Sequence, residues 1–233
     1  MRAVVVTGCP RASLAEVDEL ASFGVATVHE AIGRTGYLGP AIRPVHLGTS
    51  VGGTAVTAVC WPGDNLMVHA AVEQCRAGDI LVVTTTSPCT DGLFGELLAT
   101  ALQRRGGRGL VTTGGVRDVT ALHQMGFPVF SGAVSAQGTV KVTAGAVNVA
   151  IILGGQRVEP GDAVVADDDG VVVVPRAGVS AALAAARERA VSENAARESF
   201  AAGELSLDRY ELRQTLADLG VEYVDHESYL ESP

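Results

Sequence analysis

The residues best suited to chemistry lie between positions 92 and 118. Gly95-Glu96-Leu97-Leu98 places a glycine and a carboxylate at the predicted start of a helix. There, free backbone N–H groups and the helix dipole favour an anion. Gly114-Gly115-Val116-Arg117-Asp118 delivers a guanidinium and a carboxylate from the C-terminal end of a predicted strand. Ligands of open α/β sheets usually bind at that end. Arg117 can grip a carboxylate or an enolate oxygen, and Asp118 can hold a hard divalent cation. Each piece alone also has a plain structural reading, as a dipole partner or a surface ion pair. The glycines allow close approach to the backbone, and the combination marks a candidate site without specifying a reaction.

Composition narrows the chemistry. The chain has 233 residues, of which 47% are hydrophobic and 18% charged, enough to bury a sizeable core. Of the 17 basic residues only Lys141 is a lysine, so a Schiff-base mechanism has a single candidate nucleophile. A net charge of -9 argues against binding nucleic acid through its phosphates, although a few arginines can still make one cleft positive. The N-terminal apolar run is too short for a signal peptide, and no stretch is long enough to span a membrane. The expected location is the cytoplasm, and neither nucleic acid nor membrane is an expected partner.

Strand–turn–helix alternation positions these residues and predicts an α/β protein with a buried sheet. Capping boxes at Ser13/Glu16 and Thr27/Glu30 each open a predicted helix. Residues 51–59 read as a strand. Asp64 caps a helix to about Arg76, with Leu66, His69, Ala70 and Val72 available for its buried face. A strand over 80–84 precedes a helix over 95–105. A strand over 109–113 then ends in a tight Gly114-Gly115 turn, and a further helix runs to Met125. Beyond Phe127 come Val-rich strands at 129–134, 139–143, 147–153 and 163–174. Asp167-Asp168-Asp169-Gly170 reads as a hairpin turn rather than a metal site. Helices over 179–202 and 205–219 close the chain, the second capped at Ser206 or Asp208. Residues 1–175 form one α/β domain, and 176–233 extend that domain as a helical arm of the kind that packs on a neighbouring subunit.

Other reactive residue types have structural readings. Cys9, Cys60, Cys75 and Cys89 lack metal-ligand spacing and read as reduced, mostly buried small hydrophobes. His29, His69 and His123 lack ligand spacing too. Arg104, Arg105 and Arg108 sit where a helix C-terminus favours cations.

Several motifs together resemble the family of 4-hydroxy-4-methyl-2-oxoglutarate/4-carboxy-4-hydroxy-2-oxoadipate aldolases, to which the RraA-like regulators of RNase E activity are related. They are FGVATVHEAIGR (23–34), PGDNLMVHAAVEQC (62–75), TSPCTDGLFGELLATAL (86–102), GGVRDV (114–119), GFPVFSGAVSAQGTVK (126–141) and PGDAVVADDDGVVVVP (160–175). The C-terminal AAGELSLDRYELRQTLADLGVEYV (201–224) resembles the aldolase branch.

The resemblance implies a compact α-β-β-α sandwich with a central mixed sheet, of the swivelling β/β/α type, plus a C-terminal helical arm. It implies a class II aldolase using Mg²⁺ or Mn²⁺ to release pyruvate from 2-oxo acids, with oxaloacetate decarboxylation as a side activity. It also implies trimers or hexamers with active sites between subunits. The family's site pattern is an acid, twenty intervening residues and then Arg-Asp. Glu96 stands here where the aldolases typically have Asp, followed by Arg117-Asp118. By this resemblance Asp118 holds the metal and Glu96 holds it through a water. Gly95, Glu96, Leu97, Leu98 and Arg117 bind substrate, with Arg117 also stabilising the enolate. Glu30 and Glu193 match family acids that reach the site from a neighbouring subunit and are candidate bases, with a metal-bound hydroxide as their rival. The alternatives are a regulator that binds an RNase-type protein, and an aldolase or decarboxylase for another 2-oxo acid.

Overall fold

Side-chain alternation in the Val-rich strands generates the architecture. The computed structural model describes residues 2–231. The strands, in chain order, are β1 (Val4–Val5), β2 (Arg43–Pro44), β3 (Val51–Cys60), β4 (Asp79–Thr85), β5 (Gly92–Phe94), β6 (Gly109–Val116) and β7 (Val129–Val134). They continue with β8 (Ala146–Val147), β9 (Ile151–Leu153), β10 (Gln156–Val158), β11 (Ala163–Asp167) and β12 (Gly170–Val174). The helices are α1 (Leu14–Ala21), α2 (Val25–Ala31), α3 (Leu66–Gln74), α4 (Glu96–Arg104), α5 (Val119–Gln124), α6 (Val179–Ala201), α7 (Ser206–Arg209), α8 (Leu212–Asp218) and α9 (His226–Glu231).

Strands β3, β4, β6 and β7 pair in parallel, in that order. The hairpin β11–β12 joins antiparallel along β3, which makes the sheet mixed. Successive side chains point to opposite faces of a strand, so each strand serves two layers. Val56, Ala58, Leu81, Val83 and Leu110 pack with α3, α4 and α5. Their neighbours Ala55, Ile80, Val82 and Val111 meet Val164, Ala166, Val171 and Val173 of the hairpin. The hairpin's other face, Ala163, Val165, Val172 and Val174, packs against α1, α2 and the first turns of α6. The result is the expected α-β-β-α layering.

Several local expectations are corrected. Val25 N–H donates to Asp167 Oδ2 at 2.8 Å, so α2 starts at Val25 and Thr27 falls inside it. No side-chain cap forms at Ser13, and Glu16 accepts instead from Ser180 Oγ at 2.7 Å. The buried face of α3 is Met67, Val68, Ala71 and Val72, with Leu66 and Ala70 packed at its edge, and of the expected face His69 alone is exposed. Residues 139–143 form no strand; Val140 makes only an isolated bridge to Asp64, whose carboxylate accepts from Val142 and Thr143 N–H. Residues 147–153 divide between β8 and β9 at Asn148, which has φ 55°. Residues 205–219 break into α7 and α8 at Glu211, which has φ 53°.

The Asp167–Gly170 turn is a hairpin, and its carboxylates act as caps. Asp168 accepts from Gly48 and Thr49 N–H, while Asp167 serves Val25 and Asp169. Cys60 and Cys75 are buried free thiols, which burial pushes up to about 12. The chain divides into two compact units, one ending at Arg187 and the other beginning at Glu188. Among the described residues no helix is long and apolar enough to cross a membrane.

Candidate active site

Two segments converge because β5 pairs with β6, with Gly92 opposite Gly115 and Phe94 opposite Val116. The Gly114-Gly115 pair is not a turn. β6 runs straight through it to Val116, with a register shift between Thr112 and Gly115. A Cβ on Gly115 would lie 2.0 Å from the Thr90 carbonyl oxygen, so glycine is there to let two backbones touch. Arg117 N–H donates to Phe94 O at 2.9 Å and carries the pairing one residue past the strand ends.

Asp118 then adopts the left-handed conformation, φ 59° and ψ 33°, before α5 begins. Such a residue costs about 1–2 kcal/mol for most side chains, and Asp tolerates it better than most. The turn aims its carboxylate back at α4, where Oδ2 accepts the Glu96 N–H at 3.1 Å. Arg117 Nε lies 3.7 Å from the same oxygen, and the two side chains remain 44% and 45% exposed. Gly95 makes the contact possible, since a Cβ there would lie 2.4 Å from Asp118 Oδ2 and 2.9 Å from Arg117 Cγ. Gly95, Glu96, Arg117 and Asp118 are thus brought to one point. In the first turn of α4, the Leu97 and Leu98 N–H groups have no acceptor among the described residues, as an anion-binding helix start requires.

Asp118 stands between two open depressions. One, of about 860 Å³, is bordered by Glu96, Leu97, Thr120, Gln124 and Met125. The other, of about 410 Å³, is bordered by Arg117, Val134, Ser135 and Ala136. The wall at Ser135 escaped the sequence reading, although it is firmly built. Ser135 N–H donates to Val116 O at 2.9 Å, and Gly92 N–H donates to Gln137 O at 2.9 Å. The visible signal was the run of small residues SGAVSAQG at 131–138.

The donor chemistry here fits a hard divalent ion. Asp118 Oδ1 bonds no described residue, and Glu96 uses only Oε1, which accepts from Thr100 Oγ1 at 2.9 Å. Among the described residues no three His, Cys, Asp or Glu side chains form a ligand cage. One or two carboxylates with retained waters are the usual protein contribution to Mg²⁺, whereas a soft metal would need His or Cys.

The remaining expected residues lie elsewhere in the chain. Glu30 is on α2, borders neither depression and ion-pairs with Arg34 at 2.9 Å. Glu193, in the C-terminal unit, pairs with Arg189 at 2.8 Å. His29 contacts the Tyr37 ring at 5.6 Å between centroids, and His123 contacts His46 at 4.7 Å. Lys141 is exposed in a loop.

A family model described as RraA-like, Aldolase/RraA, matches residues 25–173, which hold the whole of this site. The chain belongs to the RraA-like family. A protein of Halalkalibacterium halodurans, provisionally named 4-hydroxy-4-methyl-2-oxoglutarate aldolase, is 31% identical over 78% of this chain and 92% of its own. RraAS2 of Streptomyces coelicolor, described as an unusual member of the RNase ES inhibitor RraA family, superposes with a TM-score of 0.70. It is 29% identical over 81% of this chain and 99% of its own. A protein from Pseudomonas syringae shares the fold, with a TM-score of 0.75 at 24% identity over 84% of this chain and 97% of its own. This RraA-like chain therefore has relatives named as aldolases and relatives named as RNase inhibitors.

Proposed function

We propose that this chain is a class II aldolase that releases pyruvate from 4-hydroxy-2-oxo acids such as 4-hydroxy-4-methyl-2-oxoglutarate and 4-carboxy-4-hydroxy-2-oxoadipate. The second product is pyruvate or oxaloacetate, and decarboxylation of oxaloacetate is a side activity. The observation that carries this reading is the Glu96 N–H···Asp118 contact, which draws a helix start, a guanidinium and a carboxylate to one point.

Asp118 would hold Mg²⁺ or Mn²⁺ directly and Glu96 would hold it through a water. When bound, the ion supplies Lewis-acid polarisation of the 2-oxo group. The Leu97 and Leu98 N–H groups, with Gly95 giving room, bind the substrate carboxylate. A base removes the C4 hydroxyl proton, the C4 carbonyl forms and the C3–C4 bond breaks. Its electron pair is delocalised onto the 2-oxo oxygen, where the Arg117 guanidinium stabilises the charge. Return of a proton to C3 completes pyruvate. Glu30 and Glu193, each contributed by a neighbouring subunit, are the proposed carboxylate bases. This assigns the assembly as a trimer or hexamer in the cytoplasm, with residues 176–233 packing on the neighbour. Lys141, exposed in its loop, leaves imine chemistry without a placed nucleophile.

The test is pyruvate release by the purified protein with Mg²⁺ or Mn²⁺ and again after chelation. Release that stops on chelation supports the reading, and no release from any 4-hydroxy-2-oxo acid or oxaloacetate overturns it. The likeness to RraAS2 favours one alternative, a non-catalytic protein that binds an RNase-type partner. Absence of pyruvate together with tight RNase binding would establish that alternative.

A further inference from the structure

The larger depression has more room than a pyruvyl head needs, and its far wall is α5. Thr120 and Gln124 lie four residues apart on that helix and therefore on one face. Both are exposed, and neither side chain bonds any described residue. His123, between them, turns away to meet His46. The rest of that wall is apolar, from Val119, Ala121 and Met125. Among the described residues of this chain no arginine, lysine or histidine borders this depression, and its charged members, Glu96 and Asp118, belong to the catalytic end. Arg117 borders the other depression rather than this one.

We infer that the substrate's far end lies along α5, and that Thr120 and Gln124 are the specificity-determining residues that contact it. This rests on the aldolase reading and names what that reading leaves open. With the head bound by the α4 N–H groups and Arg117, the chain beyond C4 runs past Asp118 into the larger depression. It meets a hydroxyl and a carboxamide there. Both can bond a terminal carboxylate or a terminal hydroxyl, and neither contributes charge to separate them. Within this chain, the preference between a carboxylate end and a neutral end is then tuned by the charge at position 124.

Two 4-hydroxy-2-oxo acids with the same head provide the test, one ending in a carboxylate and one in a hydroxymethyl group. Pyruvate release gives kcat/KM for each with wild type, Gln124→Arg and Gln124→Glu. The expected carboxylate-to-neutral ratio rises about tenfold in Gln124→Arg and falls about tenfold in Gln124→Glu. Thr120→Val should lower kcat/KM for both substrates. Pyruvate release with an unchanged ratio in both Gln124 variants overturns this assignment and leaves the aldolase reading standing. No pyruvate from either substrate overturns the aldolase reading and this assignment with it.

Discussion

The Asp118 carboxylate accepts the backbone N–H of Glu96 at 3.1 Å, across 22 residues of sequence, and does so from a left-handed backbone. This contact clamps the start of α4 against the end of β6. It uses one carboxylate oxygen for position and leaves the other for a ligand. A helix start and an Arg-Asp pair, each ordinary alone, become a joint site through it.

Gly95→Ala tests the clamp. The added Cβ would meet Asp118 Oδ2 and Arg117 Cγ well inside contact distance, so both side chains must move. Pyruvate release should fall about 100-fold. Gly95 has extended backbone that alanine adopts freely, so the melting temperature should change little.

Asp118→Gly separates function from strain. Glycine relieves the left-handed conformation but adds unfolded-state entropy, and the two effects are of similar size. Urea unfolding should place the variant within about 1 kcal/mol of wild type, with metal-stimulated pyruvate release abolished. A loss of several kcal/mol would mean that Asp118 is retained for the fold.

The N-terminal segment depends on a buried charge pair. Asp79 is fully buried, and its carboxylate accepts from Arg11 Nε at 2.7 Å, Thr54 Oγ1 at 2.6 Å and Arg76 N–H at 2.8 Å. Asp79→Ala takes the carboxylate from the Arg11 guanidinium, which is 12% exposed and keeps the Cys9 and Gln74 carbonyls as acceptors. The expected cost is about 3–5 kcal/mol in urea unfolding.

His46 gives stability a pH dependence. Burial first, and then the neighbouring His123, holds its imidazole below the ordinary 6.5, against an opposing pull from Asp168. The folded state therefore takes up a proton at lower pH than the unfolded chain does. The stability this provides is present above pH 6.5 and is lost as pH falls from there through the lowered value. His69, though exposed on α3, is lowered by partial desolvation and by Lys141 and adds a slope of the same sign. His46→Gln should flatten the decline of the urea midpoint below pH 6.5 without removing the His69 share. An unchanged slope would exclude His46 as its source.

Much of the fold was legible because its signals are local. Alternating valines at 163–174 assign each side chain to one of two layers, and Asp-Gly closes the hairpin. Glu96, Arg117 and Asp118 were legible as types, since helix starts and strand ends are readable places. What stayed hidden depends on distant partners. Asp167 caps α2 across 142 residues and moves its start ahead of Thr27. Glu16 leaves its expected box for Ser180. The glycines at 114 and 115 look like a turn, and only the Thr90 carbonyl pressed against Gly115 shows why they continue a strand. Val140 and Val142 have strand-forming types but no strand beside them, because Asp64 takes the N–H groups of Val142 and Thr143.

The most direct measurement is the initial rate of pyruvate release from 4-hydroxy-4-methyl-2-oxoglutarate by wild type and Arg117→Ala, each chelated and then resupplied with Mg²⁺. The guanidinium lies 3.7 Å from Asp118 and makes no other ion pair among the described residues. Wild type should be silent when chelated and recover on Mg²⁺, while folded Arg117→Ala should recover only about a hundredth to a thousandth of that rate. A rate in Arg117→Ala equal to wild type, or pyruvate release that ignores chelation, would contradict the account.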